Sequence, residues 1–159
     1  MKQPQAFDLR AYLLGADVSG RWSVERKLLD RATGARGTFT GVVLFSETDD
    51  GGLRLREEGT VRWPASAGEM FTGPAARRYL LKPTESPSTM DMLFPDGRPF
   101  HRMGFTESAG RGEHWCEPDS YRVKYQLRGP VEFSYSWDVQ GPRKNLLLES
   151  QLRRLGSTP

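Results

Sequence analysis

The sequence predicts an all-β chain, an antiparallel up-and-down barrel of about nine or ten strands with one short helix in front of it. Three observations carry this expectation. Apolar side chains recur at every second position through most of the chain, the pattern of strands with one buried face. Glycine and proline, 17 and 11 residues, fall largely between those runs, where turns need them. The connections are short, which favours pairing of consecutive strands, and a single helix cannot cover so many apolar faces. The sheet must therefore close on itself, with a sandwich as the alternative.

Asp8 to Leu14 reads as the helix: Asp8 caps its start, Leu9, Tyr12 and Leu13 share one face, and Gly15 ends it. The period then changes to two. Trp22, Val24 and Leu28 alternate with Ser23, Glu25 and Lys27, and Phe39, Gly41, Val43 and Phe45 make the next face. Leu53, Leu55, Val61 and Trp63 follow, then Ala75, Tyr79 and Leu81, then Met90, Met92 and Phe94. A short strand is expected near 99–105, with Met103 and Phe105 inside. Runs over Tyr121–Leu127, Val131–Val139 and Leu146–Leu152 complete nine strands, and a split around Pro118 would add a tenth. Turn chemistry sits at Asp49-Asp50-Gly51-Gly52, Pro95-Asp96-Gly97-Arg98, Gly129-Pro130 and Gly141-Pro142.

At 159 residues, one domain over 1–159 is expected, with barrel strands over about 20–154. The net charge of +3 is the difference between 23 basic and 20 acidic residues. So mixed a balance gives no sign of a nucleic-acid partner, for which a basic stripe is the usual footprint. The lone Cys116 leaves no internal disulfide framework. No apolar leader and no run of membrane-spanning length is present, so a cytoplasmic protein is expected. The oligomeric state is not legible.

A set of motifs adds to this pattern. Gly20-Arg21-Trp22 opens the first strand after the helix, followed by Glu25-Arg26, Gly37-x-Phe39-x-Gly41, Glu57-x-Gly59 and Arg77-x-Tyr79. Asp96-Gly97-Arg98-Pro99-Phe100-His101, His114-x-Cys116, Asp119-x-Tyr121-x-Val123-x-Tyr125 and Trp137-x-Val139-x-Gly141-Pro142-Arg143-Lys144 continue it. Together these resemble an uncharacterised family, a domain of unknown function, over almost the whole chain from Gly20 onward. The Gly-x-Trp start is similar to that of lipocalin-like, or calycin, barrels. The resemblance implies such a barrel, with Arg153 or Arg154 packed over Trp22 at one end. It brings no substrate, activity or catalytic residue.

Polar residues that fall in register with the apolar faces are the candidate site. They are Arg26, Glu57, Arg77, Tyr79, His101, His114, Asp119, Tyr121 and Tyr125, and Trp137 joins them as a cavity wall. Burying an unpaired charge costs several kcal/mol or more, so these groups must pair, meet water or meet a ligand. Arg77-x-Tyr79 points a guanidinium and a phenol the same way, which suits a carboxylate or phosphate. The competing reading is an internal Arg77–Glu57 or Arg26–Glu57 ion pair that fixes the barrel. His114 with Asp119 could act as a carboxylate-oriented acid–base pair, against the plainer reading of a satisfied histidine and a capping aspartate. Cys116 lies two positions from His114, roughly 6–7 Å along a strand, and is read as inert.

Counting strands up and down places Trp22, Tyr79, His114 and Cys116 toward the end where the first strand begins. The Gly141–Lys144 turn falls at that rim, Arg77 a little deeper, and His101 at the opposite end. Two histidines so separated share no metal, and no metal site is predicted. Nitrobindin-like barrels bind haem through a histidine late in the chain, but the final strands here contain none. No cofactor is predicted, and haem is a minor alternative.

The leading functional reading is a non-enzymatic binding barrel for a small, partly apolar, anionic ligand in a polar-ended cavity. One alternative is a small-molecule hydrolase or isomerase using His114 and Asp119 in the same cavity. Another is a structural or interaction module with a self-satisfied polar core. The cavity discriminates among them. A void of at least about 300 Å³ with Arg77 not fully paired to carboxylates supports binding, whereas a packed interior with Arg26, Glu57 and Arg77 mutually bonded would sink it.

Overall fold

The computed structural model describes residues 7–16, 20–65, 68–105, 111–116 and 119–156, with the backbone alone for 111–116. Helix α1 spans Leu9–Leu14, and ten strands follow. They are β1 (Arg21–Asp30), β2 (Arg36–Glu47), β3 (Leu53–Pro64), β4 (Met70–Pro83) and β5 (Thr89–Leu93), then β6 (Pro99–Gly104), β7 (Arg111–Cys116), β8 (Asp119–Gly129), β9 (Glu132–Gln140) and β10 (Asn145–Arg154). One antiparallel sheet contains them all in the order β6-β5-β4-β3-β2-β1-β10-β9-β8-β7. The β1–β10 ladder, from Trp22 opposite Arg154 to Asp30 opposite Leu146, joins the two halves of the chain. Strands β6 and β7 lie in contact at the remaining seam, so the all-β sheet is a nearly closed barrel.

The sequence dictates this arrangement through alternation. On β1, Trp22, Val24 and Arg26 are buried while Arg21, Glu25 and Lys27 are exposed. Closure also needs a sharp bend, and the directly paired Gly41 and Gly59 permit it. A Cβ on either would lie 2.2 Å from a carbonyl of the facing strand, so no other residue fits without moving the backbone.

Helix α1 covers the end of the barrel at which β1 begins. Its start is fixed by Asp8, whose carboxylate accepts the Ala11 N–H at 3.0 Å, and Gly15 ends it with φ 80°. Leu9 and Leu13 are fully buried, and the Trp22 indole donates to the Leu13 carbonyl at 2.9 Å. The Tyr12 hydroxyl donates to the Gly129 carbonyl at 2.7 Å, tying the helix to the β8–β9 turn. Arg154 lies 4.3 Å over the Trp22 ring and donates to the Tyr12 carbonyl. Of the two arginines at the chain's end, Arg154 closes the barrel, while Arg153 is exposed.

Three positional expectations are corrected. His114 and Cys116 are expected toward the end where β1 begins, but their backbones pair opposite Tyr121 and Asp119 at the far end. Arg111–Cys116 forms a strand of its own, and this tenth strand reverses the direction of those on either side of the count. The Gly141–Lys144 turn therefore sits at the far end, where the Arg31 N–H donates to the Asn145 carbonyl beside the end of β1. His101 does not lie at an extreme of the barrel. Strands β5 and β6 are short, β5 pairing with β4 only over Leu80–Pro83, which brings His101 to mid-barrel. Among the described residues, the β4 edge from Met70 to Tyr79 has no strand beside it. No described helix is long and apolar enough to cross a membrane.

Candidate functional site

Inward positions change character along the barrel axis. Near α1 they are sealed: Trp22, Val24, Phe45, Leu53, Leu81, Met90, Phe133 and Leu152 are all buried. At the other end Val61, Ala75, Tyr121, Leu146 and Leu148 also face inward but are only half-buried. A belt of polar side chains lies between these regions.

Arg26 on β1 grips Glu57 on β3 with two bonds, Nη1 to Oε1 at 2.9 Å and Nη2 to Oε2 at 2.7 Å. Its Nε donates to the Ser150 hydroxyl and its Nη2 to the Tyr135 hydroxyl, each at 2.7 Å. Arg77, opposite Glu57 in the β3–β4 register, places its Nε 2.8 Å from Glu57 Oε1 and donates from Nη2 to Tyr135 at 3.0 Å. Ser150 faces Arg26 across β1–β10, and Tyr135 faces Ser150 on β9. The diagonal reach from β1 to β3 is what tilted barrel strands allow.

Burial alone would push the Glu57 carboxyl up. Hydrogen bonds from Arg26 and the charges of Arg77 and Arg26 outweigh it, leaving the carboxyl below its ordinary value. The side chains of Arg26 and Glu57 are 7% and 4% exposed, and that of Arg77 is 34% exposed. Two guanidiniums thus share one carboxylate. The group carries one net positive charge, and its most exposed member is Arg77, about a third open to solvent.

Beside this group, His101 Nε2 lies 2.7 Å from the Tyr125 hydroxyl. Burial raises the Tyr125 pKa well above the usual phenol value, so the hydroxyl stays protonated. Burial likewise raises Tyr79 although Arg77 opposes the shift, with the Arg77 guanidinium 5.7 Å from the ring centroid. Tyr79 packs on Phe94 and Phe100, and Phe100 stacks on Trp137 at 5.2 Å.

The void bounded by Glu57, Arg77, Tyr79, His101, Tyr125 and Trp137 measures about 30 Å³, room for a water or two. That is an order of magnitude below the chamber expected of an enclosed ligand, and Arg26 and Arg77 both hold Glu57 and Tyr135, so the expectation of a ligand enclosed in the barrel fails. Arg26 and Glu57 are fully engaged in holding β1, β3, β9 and β10 together. Of the charged members of this belt Arg77 is the most exposed, with Tyr79 one pleat nearer α1 and Tyr135 also half-buried.

Tyr121 and Asp119 lie apart, at the rim. Lys144 Nζ donates to the Tyr121 hydroxyl at 3.3 Å and lies 3.6 Å from the Asp119 carboxylate. Gly141 packs so closely on Asp119 that a Cβ there would fall 1.9 Å from Oδ1. The His114 backbone pairs opposite Tyr121, and Cys116 opposite Asp119. The side chains of His114 and Cys116 lie outside the described residues, as does any acid–base geometry with Asp119. Among the described residues no group of three or more His, Cys, Asp or Glu could hold a metal ion.

Sequence reasoning missed Tyr135 as a site residue, although it bridges both arginines. It was legible only as one more member of the β9 apolar face. Its pairing with Tyr125 on one side and Ser150 on the other was the signal that could have found it.

The chain belongs to the family of unknown function DUF6314, whose model matches residues 18–154. No curated protein matches it. Among solved structures it is similar to the S-type phycobiliprotein lyase CPES from Guillardia theta, with a TM-score of 0.54 and 11% identity over 87% of this chain and 88% of the lyase. A de novo designed fluorescence-activating β-barrel aligns with a TM-score of 0.46 and 15% identity over 94% and 99% of the two chains. The barrel EF1p2_mFAP2b, solved bound to DFHBI, gives 0.47 and 16% over 94% and 100%. At these identities the likeness is one of fold.

Proposed function

We propose that this member of a family of unknown function is a non-enzymatic binding barrel for a small, partly apolar anion. The ligand enters the uncovered end and rests its negative group against Arg77 and Tyr79. The carrying observation is the charge imbalance of the polar belt: two guanidiniums, one carboxylate, and the surplus on Arg77, its most exposed charged member. Half-buried Val61, Ala75, Leu146 and Leu148 supply apolar walls above that charge. In this reading the Arg26–Glu57 pair is the floor of the site and no part of a chamber.

A specific observation favours a second reading, a structural or interaction module with a self-satisfied core. It is the mutual bonding of Arg26, Glu57 and Arg77 around a void of only about 30 Å³. Native mass spectrometry of protein purified from its own host separates the two. A retained anion that Arg77→Gln releases supports binding. A ligand-free protein whose melting temperature does not move with aliphatic or aromatic carboxylates decides for the structural module. A saturating ligand at about 100 times its Kd should add about 2.7 kcal/mol of stability, an effect a melting curve resolves readily.

A further inference from the structure

The outside of β2, β3 and β4 is far more basic than the whole chain. Outward positions there carry Arg36, Arg54, Arg56, Arg62, Arg78 and Lys82, against Glu58 and, at the end of β2, the exposed Glu47 paired with Arg10. Arg56 and Arg78 stand directly opposite each other in the β3–β4 register. Like charges so placed repel and weaken the ladder. Glu58 lies 2.7 Å from Arg56, but among the described residues Arg54 and Arg78 form no ion pair. The three guanidiniums border an open hollow of about 510 Å³ with Tyr79, Leu80 and Pro95. On the neighbouring strand Val42 and Leu44 are 36% and 37% exposed, and Leu44 pairs with Arg56.

We propose that this face docks an acidic segment of a protein partner, with carboxylates on Arg54, Arg56 and Arg78 and aliphatic side chains on Val42 and Leu44. Charge complementarity sets the sign of the partner. Its class follows from composition: five of the six cations are arginine, which protein interfaces favour over lysine, and exposed aliphatic groups stand among them. Val42 and Leu44 give apolar surface that a protein segment covers and a phosphate backbone does not. The docking face is the outer surface of the sheet and meets the interior site only at Tyr79, which borders both.

Fluorescence anisotropy with a labelled peptide of alternating glutamate and leucine tests the proposal on the full chain. The variant carries Arg54→Glu, Arg56→Glu and Arg78→Glu, and a control variant carries Lys124→Glu, Arg128→Glu and Arg153→Glu, which impose the same charge change on another face. Binding by the unaltered protein that weakens with salt, falls at least about tenfold in the first variant and stays within about twofold in the control supports the site. If circular dichroism shows the triple variant unfolded, single Arg54→Glu and Arg78→Glu variants replace it. Equal loss in both variants, or no binding, overturns the proposal. So does tighter binding to duplex DNA or to phosphatidylserine vesicles than to the peptide, or a self-associated dimer that the first variant abolishes.

Discussion

The two ends of this barrel are built from the same alternation yet differ in what becomes of it. On β10, Leu152 and Leu148 both face inward, four residues apart, but the first is 2% exposed and the second half-buried. Nothing in the strand itself separates them. The difference comes from what covers each end: α1, Trp22 and Arg154 seal the first, whereas at the second the β5–β6 hairpin stops short and no described helix lies across the mouth. Hydrophobicity of a strand position thus predicts its face, and neighbouring elements decide how much water it loses.

The sharpest way to break the contrast is to open the closed end. Trp22→Ala removes the fully buried indole, its bond to Leu13 and the surface beneath Arg154. It should cost about 3–5 kcal/mol in urea unfolding, and a loss below about 1 kcal/mol would show the seal to be ornamental. Next comes the belt between the ends. Glu57→Gln leaves Arg26 buried without its counter-charge and should cost about 3 kcal/mol. The folded carboxyl is held below its ordinary value of 4.5, so its stabilisation is present above that pH and is lost as pH falls through the folded value. Acid should therefore narrow the gap between the wild type and Glu57→Gln, and a gap that widens below pH 4.5 would contradict the ion-pair account.

A matched pair of substitutions measures the contrast itself. Leu152→Ala should cost about 2–4 kcal/mol and Leu148→Ala about 1, because the half-buried side chain surrenders less packing. Equal losses would mean that the second end is filled in solution.

Much of the fold was legible because it is local. The Asp8 cap, the Gly15 stop and the two-residue period each need only a few neighbouring residues. Strand β7 was legible only as a split around Pro118, since Arg111, Glu113 and Trp115 alternate with Gly112, His114 and Cys116 and neither set is an apolar stripe. Missing one strand reverses the direction of those after it, which is why alternation alone puts the Gly141–Lys144 turn at the wrong end. The site fared similarly. Faces were readable, so Arg26, Glu57 and Arg77 were known to point inward, and their pairing was named as the competing reading. Which of them meet depends on register and tilt across three strands, and alternation carries no such information. The outer basic face was hidden in another way: a net charge of +3 averages over a surface on which cations and acids are segregated.

Tyr135 has one last consequence. Its hydroxyl oxygen accepts from Arg26 and from Arg77, at 2.7 and 3.0 Å, which uses both lone pairs. Its own proton remains to be given. Guanidiniums only donate, and the two hydrogen bonds from Arg26 with the ion pair to Arg77 engage both oxygens of Glu57, on a side chain 4% exposed. Around Arg26, Arg77 and Tyr135 the belt therefore shows its surroundings chiefly donors. Whatever settles against those guanidiniums, a water, an ether, a carbonyl or an anion, must come with lone pairs.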